Sequence, residues 1–265
     1  MDFELKGKKV LVTGASKGIG IEIAKKFLAE GARLAINSSN PANLERAEAE
    51  LGPGVEMAIQ GSIRESGDVA RMFGEIGKKW GTLDVLVNNA GVMLRGPAIE
   101  TTFDDWNWAY ETNVRGTFLC CQQAFELMKE RGGAIVNTSS YASIMPVYGA
   151  GVYASTKGAV DVLTKSLAGE LAPYGIRVNA YMPGFIPTEM NAEKRNTTAD
   201  HSTLYRSSAL NRFGTTEEMA DIVLFLASAR SSYLTGVNIE ASGGKYVIQN
   251  PWMAWERKKA SENKQ

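Results

Sequence analysis

Thr13-Gly14-Ala15-Ser16-Lys17-Gly18-Ile19-Gly20 is the stretch on which the reading of this 265-residue chain turns. An apolar run, Val10-Leu11-Val12, precedes it. After it Ile19, Ile23, Ala24, Phe27 and Leu28 recur at helical spacing up to about Glu30, and Gly31 is a natural stop. A strand, a glycine-rich turn and a helix therefore follow one another. Glycine permits the tight turn and a close backbone approach, while the free N–H groups of a helix start attract a pyrophosphate. The spacing is Gly-x-x-x-Gly-x-Gly, not the Gly-x-Gly-x-x-Gly of many dinucleotide folds. Taken alone, such a turn can also join strand to helix without holding a ligand.

Outward from this turn the alternation continues. Runs at 33–37, 55–60, 83–87, 134–138, 177–181 and 237–240 read as strands. Segments 42–51 (after Pro41), 66–80, 113–129, 153–172 and 216–227 read as helices. Repeated strand–helix units with apolar strands predict an α/β fold: one Rossmann-type, doubly wound parallel sheet with helices on both faces and right-handed crossovers. No linker, repeat or low-complexity segment interrupts it. Residues 1–250 read as a single dinucleotide-binding and catalytic domain, and 251–265 as a C-terminal extension.

Composition excludes several classes of function. Lys plus Arg number 29 and Asp plus Glu 29, so bulk charge asks for neither nucleic acid nor a membrane surface. Cys120 and Cys121 are adjacent within one helical segment, which suits packing and supplies no disulfide frame or metal site. Met1-Asp2-Phe3-Glu4-Leu5 lacks the basic-then-apolar pattern of a signal peptide, and no apolar run approaches a membrane span. A cytoplasmic protein is the expectation.

In open parallel sheets ligands bind beyond the carboxyl ends of the strands, where strand order reverses. Gly14 to Gly20, Asn88 to Gly91, Ser140 and Pro183-Gly184 all follow strands, so one pocket accounts for them. Tyr153-Ala154-Ser155-Thr156-Lys157 adds a tyrosine and a lysine on one helix face, a turn apart. A phenol ionises near pH ~10, and a neighbouring ammonium lowers that value, so such a pair can exchange a proton with an alcohol. Alone, Tyr-x-x-x-Lys also recurs by chance on surface helices.

In order and spacing, Thr13 to Gly20, Asn88-Asn89-Ala90-Gly91, Asn113, Ser140, Tyr153-x-x-x-Lys157 and Pro183-Gly184-x-x-x-Thr188 resemble the short-chain dehydrogenase/reductase family over about residues 5–245. The resemblance implies hydride transfer between a nicotinamide ring and a carbonyl or alcohol carbon. Tyr153 would be the acid in reduction and the base in oxidation. Lys157 would depress the Tyr153 pKa and hold the nicotinamide ribose. Ser140 would polarise the reacting oxygen, and the family's serine-to-tyrosine spacing selects it over Ser139. Asn113 would support a water relay from Lys157 to solvent; by itself it reads as a helix cap. Gly14, Ser16, Lys17, Gly18, Ile19 and Gly20 would hold the cofactor. Asn89, Ala90 and Gly91 would face the adenosine ribose. Pro183, Gly184, Ile186 and Thr188 would lie on the nicotinamide side, with the Ile186 main chain on the carboxamide and Thr188 on a phosphate. The family commonly forms tetramers through the helices near Asn113 and Tyr153. Gly116, Thr117, Cys120 and Ala124 offer a small-residue face for that contact, so a homotetramer is expected.

A carboxylate after the second strand would bind the adenosine 2′-hydroxyl and repel a 2′-phosphate. Here the sequence is Asn37-Ser38-Ser39-Asn40, with no acid, and Lys17 stands where NADP-using members often carry a basic side chain. The hydroxyls of Ser38 and Ser39 can donate to phosphate oxygens. NADP(H) is therefore the preferred cofactor, with NAD(H) as the alternative. Two departures from the family are Ser39, where many such members have arginine, and Ser62, which replaces the aspartate usual after strand three. Ser62 and the Ile63 backbone would still touch adenine.

On the substrate side the candidates are Arg95, Ser140, Tyr141, Tyr148, Tyr153 and Phe185, with Met93 and Leu94 nearby. Arg95 suits a carboxylate, a phosphate or sugar hydroxyls, and equally a plain surface position. Residues 185–213, polar and without glycine, read as a substrate lid containing His201 in a solvated position. Trp252 and Trp255 would be costly as bare surface and are expected to pack on a neighbouring subunit near its pocket. Residues past Ala260 read as disordered. The expected reaction interconverts a ketone and a secondary alcohol, with a 3-oxoacyl thioester or an NAD-linked sugar or polyol both open. The non-enzymatic alternative, a nucleotide-sensing regulator, would be expected to have lost Tyr153, Lys157 or Ser140, and all three are present.

Overall fold

The computed structural model describes residues 3–191 and 206–262. Strands β1 (Lys9–Val12), β2 (Arg33–Ser38), β3 (Val55–Gln60), β4 (Val85–Asn88), β5 (Gly133–Thr138), β6 (Ile176–Pro183) and β7 (Asn238–Ala241) form one sheet. Its order is β3-β2-β1-β4-β5-β6-β7, and every neighbouring pair is parallel. Among the described residues the α-helices are α1 (Gly18–Ala29), α2 (Pro41–Leu51), α3 (Ser66–Trp80), α4 (Phe103–Tyr110), α5 (Gly116–Met128), α6 (Gly151–Leu171), α7 (Thr216–Ala227) and α8 (Trp252–Glu262).

Period-two alternation sends each strand's side chains into two cores. Val10, Val12, Leu34, Ile36, Val85 and Val87 meet Ile23 and Phe27 of α1, Leu44 of α2 and Val223 and Leu224 of α7. Leu11, Ala35, Leu86, Ile135 and Val178 meet Met72, Phe73 and Ile76 of α3, Cys120, Cys121 and Ala124 of α5, and Ala168 and Leu171 of α6. Each fully buried aliphatic or aromatic side chain contributes about 1.5–3 kcal/mol, which is what holds a sheet covered on both faces. Strand order reverses between β1 and β4, so a crevice opens at their carboxyl ends.

Four expectations are corrected. Helix formation begins well before Asn113: α4, a π turn over Glu111–Arg115 and α5 run on continuously. The exposed aromatic residues of α4 hide any apolar period, although Thr102 caps it, accepting from the Asp105 N–H at 3.1 Å. Thr117, Cys120 and Ala124 are buried within this chain, and a Cβ on Gly116 would lie 2.8 Å from the Ile63 side chain, so that small-residue face seats α5 against its own chain and is not free for a second subunit. Residues 260–262 continue helix α8. Finally, Trp252 and Trp255 pack on their own chain: the Arg206 guanidinium lies 4.9 Å from the Trp252 ring centroid, and the Trp255 indole N–H donates to the Ala209 carbonyl at 2.9 Å. His201 and the middle of the proposed lid, residues 192–205, lie outside the described residues.

Candidate active site

The ends of β1, β4, β5 and β6 open on one cavity of about 730 Å³. Its floor is the turn after β1. Gly14 has φ +61° and Gly18 φ +58°, and a Cβ on Gly14 would stand 2.7 Å from Ala90 Cα. A Cβ on Gly20 would stand 2.2 Å from the Gly14 carbonyl oxygen. The turn is thus pressed against α1 on one side and against the turn after β4 on the other, an approach only glycine allows. Asn89 fixes it by donating from Nδ2 to the carbonyls of Thr13 (3.1 Å) and Gly14 (2.9 Å). The Thr13 hydroxyl oxygen accepts from the N–H groups of Asn89 and Ala90, both at 3.1 Å. Lys17 precedes α1 without a side-chain cap, which leaves the first N–H groups of the helix facing the cavity at Gly18 and Ile19. Thr188, beyond β6, reaches the same turn: its Cγ2 lies 3.4 Å from the point a Gly18 Cβ would occupy.

Tyr153 and Lys157 are both buried on α6 and line the middle of the cavity. Lys157 Nζ donates to the Thr138 carbonyl at 2.7 Å and lies 5.8 Å from the Tyr153 ring centroid. Burial pushes the Tyr153 phenol up to about 12, against a hydrogen bond with Ser140 that pulls it down. Burial pushes Lys157 down to about 8, opposed by the Asp161 carboxylate. The expected depression of the Tyr153 pKa by Lys157 does not appear: Nζ is turned to the Thr138 carbonyl, and burial is the largest influence on the phenol. Burial therefore keeps the proton on Tyr153 through neutral pH. Ser140, at the end of β5, accepts the Ala142 N–H at 3.1 Å.

Asn113 sits in the π turn, wholly buried. Its Oδ1 accepts from Val92 N at 2.8 Å, and its Nδ2 donates to Val92 O at 2.9 Å and to Thr156 Oγ1 at 3.0 Å. The Thr156 hydroxyl in turn donates to the Tyr153 carbonyl at 2.7 Å. The amide thus ties the segment after β4 to the turn of α6 that carries Tyr153. It is a cross-brace, not a helix cap.

One end of the cavity is lined by Lys17, Ser38, Ser39, Asn40, Asn43, Ser62, Ile63 and Arg64. The Ser16 hydroxyl donates to Ser38 Oγ at 3.1 Å. Among the described residues Glu189 is the one carboxylate in the lining; it follows Thr188, and its Oε2 lies 3.7 Å from the point a Gly18 Cβ would occupy. The other end is lined by Met93, Arg95, Trp108, Thr112, Tyr141, Val147, Ala150 and Phe185, while Pro183, Gly184 and Ile186 complete the wall beyond β6. Tyr148 is not brought in. It is 91% exposed, and Val147 and Ala150 supply the wall it was expected to form. Trp108, Thr112, Asn43 and Arg64 were not anticipated. The Thr102–Asp105 cap would have revealed α4 and hence Trp108, whereas Asn43 and Arg64 carry no local signal. Among the described residues no cluster of His, Cys, Asp and Glu could hold a metal ion, and no helix is long and apolar enough to cross a membrane.

A glycine cradle and a buried tyrosine–lysine pair on one cavity at a sheet's switch point define a nicotinamide-dependent oxidoreductase architecture. Residues 14–245 match a family model described as enoyl-(acyl carrier protein) reductase. The chain is 38% identical over 246 residues to a 3-oxoacyl-[acyl-carrier-protein] reductase, FabG, of Staphylococcus aureus, covering 91% of this chain and 98% of the relative. Its structure resembles that of an Agrobacterium tumefaciens protein provisionally named a gluconate dehydrogenase, with TM-score 0.89, 30% identity and coverage of 94% and 99%. It also resembles a 3-ketoacyl-(acyl-carrier-protein) reductase from Brucella melitensis complexed with NADH, with TM-score 0.84, 30% identity and coverage of 91% and 99%. The chain belongs to the short-chain dehydrogenase/reductase family, and it is an oxidoreductase acting between CH–OH and C=O with NAD(P).

Proposed function

We propose that this protein interconverts a ketone and a secondary alcohol with NADP(H), using Tyr153 as acid and base. The observation that carries this reading is the buried Tyr153, with Lys157 Nζ 5.8 Å from its ring centroid and Ser140 beside it, in the cavity that also holds the glycine cradle. The bound nicotinamide supplies or accepts the two electrons of the reaction. Gly14, Ser16, Gly18, Ile19 and Gly20 would hold the pyrophosphate, and Asn89 to Gly91 with Ser62 and Ile63 the adenosine. Pro183, Gly184, Ile186 and Thr188 would border the nicotinamide. Ser38 and Ser39, with Lys17 nearby, favour a 2′-phosphate because the residues described after β2 offer hydroxyls and amides and no carboxylate, Glu189 reaching the Gly18 turn instead.

In reduction the Ser140 hydroxyl would donate to the carbonyl oxygen, and the Tyr153 O–H would give that oxygen its proton. Lys157 would return a proton toward Tyr153 and hold the nicotinamide ribose, with Asn113 bracing the relay. A 3-oxoacyl thioester, named for the Staphylococcus relative, belongs in the first test panel. NAD(H) is the second cofactor reading, favoured by the NADH complex of the Brucella relative. A cytoplasmic homotetramer completes the proposal.

The test is fluorescence titration with NADPH and NADH, followed by turnover of a carbonyl panel by the parent and by Tyr153→Phe. Tighter NADPH binding is expected, with turnover lost by about 10²–10⁴-fold in the variant while cofactor binding persists. Parent-like turnover by Tyr153→Phe would refute the assigned acid/base.

A further inference from the structure

Among the described residues four cations line the cavity: Lys17, Arg64, Arg95 and Lys157. Three have an assignment already. Lys17 flanks the glycine turn, Arg64 Nη2 is bonded to Glu111 Oε2 at 3.0 Å, and Lys157 is bonded to the Thr138 carbonyl. Arg95 stands at the opposite end, with Met93, Trp108, Val147 and Phe185, and has no hydrogen bond or ion pair among the described residues. Its position is nonetheless fixed. The N–H of Gly96 donates to the Gly149 carbonyl at 2.9 Å, and a Cβ on Gly151, the first residue of α6, would lie 3.1 Å from the Ala98 methyl. The segment carrying Arg95 is therefore pinned to the start of the helix that carries Tyr153. On its other flank is Tyr141, next to Ser140; the guanidinium is near enough to oppose the upward push of burial on the Tyr141 phenol.

From this placement we infer that the substrate is an oxo acid (a hydroxy acid in the reverse direction) whose carboxylate is held by Arg95 while its ketone meets Ser140 and Tyr153. The inference rests on the proposed ketone/alcohol chemistry. A guanidinium offers a planar pair of N–H donors that a carboxylate accepts in parallel, and the apolar side chains around it strengthen that contact by excluding water. An ester or thioester at the same place offers one weak acceptor and no charge. The cofactor's phosphates are met at the far end, so they do not neutralise Arg95.

The experiment compares kcat/KM for a short series of oxo acids with their methyl esters, alongside a neutral acetoacetyl thioester, with NADPH and NADH in excess. An acid-over-ester preference on the order of 10–100-fold is expected for the parent protein, as for one charged hydrogen-bonded contact. That ratio should collapse toward unity in Arg95→Met and be partly kept in Arg95→Lys, with thermal melting confirming that both variants fold. Equal kcat/KM for acids and esters in the parent, or a preference that survives in Arg95→Met, would overturn the inference while leaving the ketone/alcohol reading intact. Failure to turn over any carbonyl in either series would overturn both.

Discussion

Lys157 is a cation sealed in the protein with the Thr138 carbonyl oxygen as its hydrogen-bond partner, and its behaviour with pH follows from that. Burial brings it to about 8, while Tyr153 keeps its proton up to about 12. Through neutral pH both groups carry protons, which suits reduction, where Tyr153 must give one up and have it replaced. As pH rises through about 8 the ammonium is lost, so kcat/KM for reduction should fall above that point, while the oxidative direction, which needs Tyr153 without its proton, should gain. Rates measured with both cofactor forms from pH 6 to 10 check this; a reductive rate level to pH 10 would contradict it. The same burial has a stability consequence. A lysine with a folded pKa below its unfolded value binds fewer protons folded than unfolded between about 8 and 10.5. Stability should therefore rise with pH across that window, and the cost of the buried charge is fully present below it. Lys157→Met should end turnover yet raise stability at pH 7 by roughly 1–3 kcal/mol, read from thermal melts.

At the scale of elements, the turn from β1 to α1 is the most constrained joint. With a Gly20 Cβ placed 2.2 Å from the Gly14 carbonyl, Gly20→Ala must push α1 from its turn. It should cost about 1–3 kcal/mol in urea unfolding and remove cofactor binding; a variant that still binds NADPH normally would refute the close-approach argument. Turn and strands were legible in the sequence because glycine spacing and apolar runs are local signals. The strap formed by the extension was not, because its contacts are long-range. Tyr246 O–H donates to the Tyr141 carbonyl at 2.6 Å, and Trp255 bonds Ala209, so residues beyond the family match at 245 hold the wall next to Ser140. Trp255→Ala should raise KM for the carbonyl substrate with cofactor affinity unchanged, and an unaltered KM would contradict this. The π turn escaped notice for a similar reason: Asn113 looks like a cap in sequence, and only its partners Val92 and Thr156 show a brace.

For the whole molecule the open question is what covers the outer face of α4, α5 and α6. Phe103 is 75% exposed, Phe118 41% and Val162 69%, while the small residues of α5 that promised a subunit contact point inward. The Tyr110 hydroxyl donates to Ser155 Oγ at 3.0 Å, which joins α4 to α6, and Trp106 stacks on Tyr110 with centroids 3.9 Å apart. Three helices thus present a shared apolar surface of the kind that isolated soluble chains rarely leave bare. The proposed homotetramer would bury it, a stable interface requiring about 1,200–2,000 Å² in total. Light scattering should then report an oligomer at micromolar concentration, and Phe118→Glu with Val162→Glu should shift it toward monomer. Neither side chain lines the cavity, yet α6 carries Tyr153 and Lys157, so loss of the neighbour should lower kcat more than it weakens cofactor binding. A parent chain that is already monomeric would remove the proposal. An oligomer indifferent to both charges would place the contact on another face.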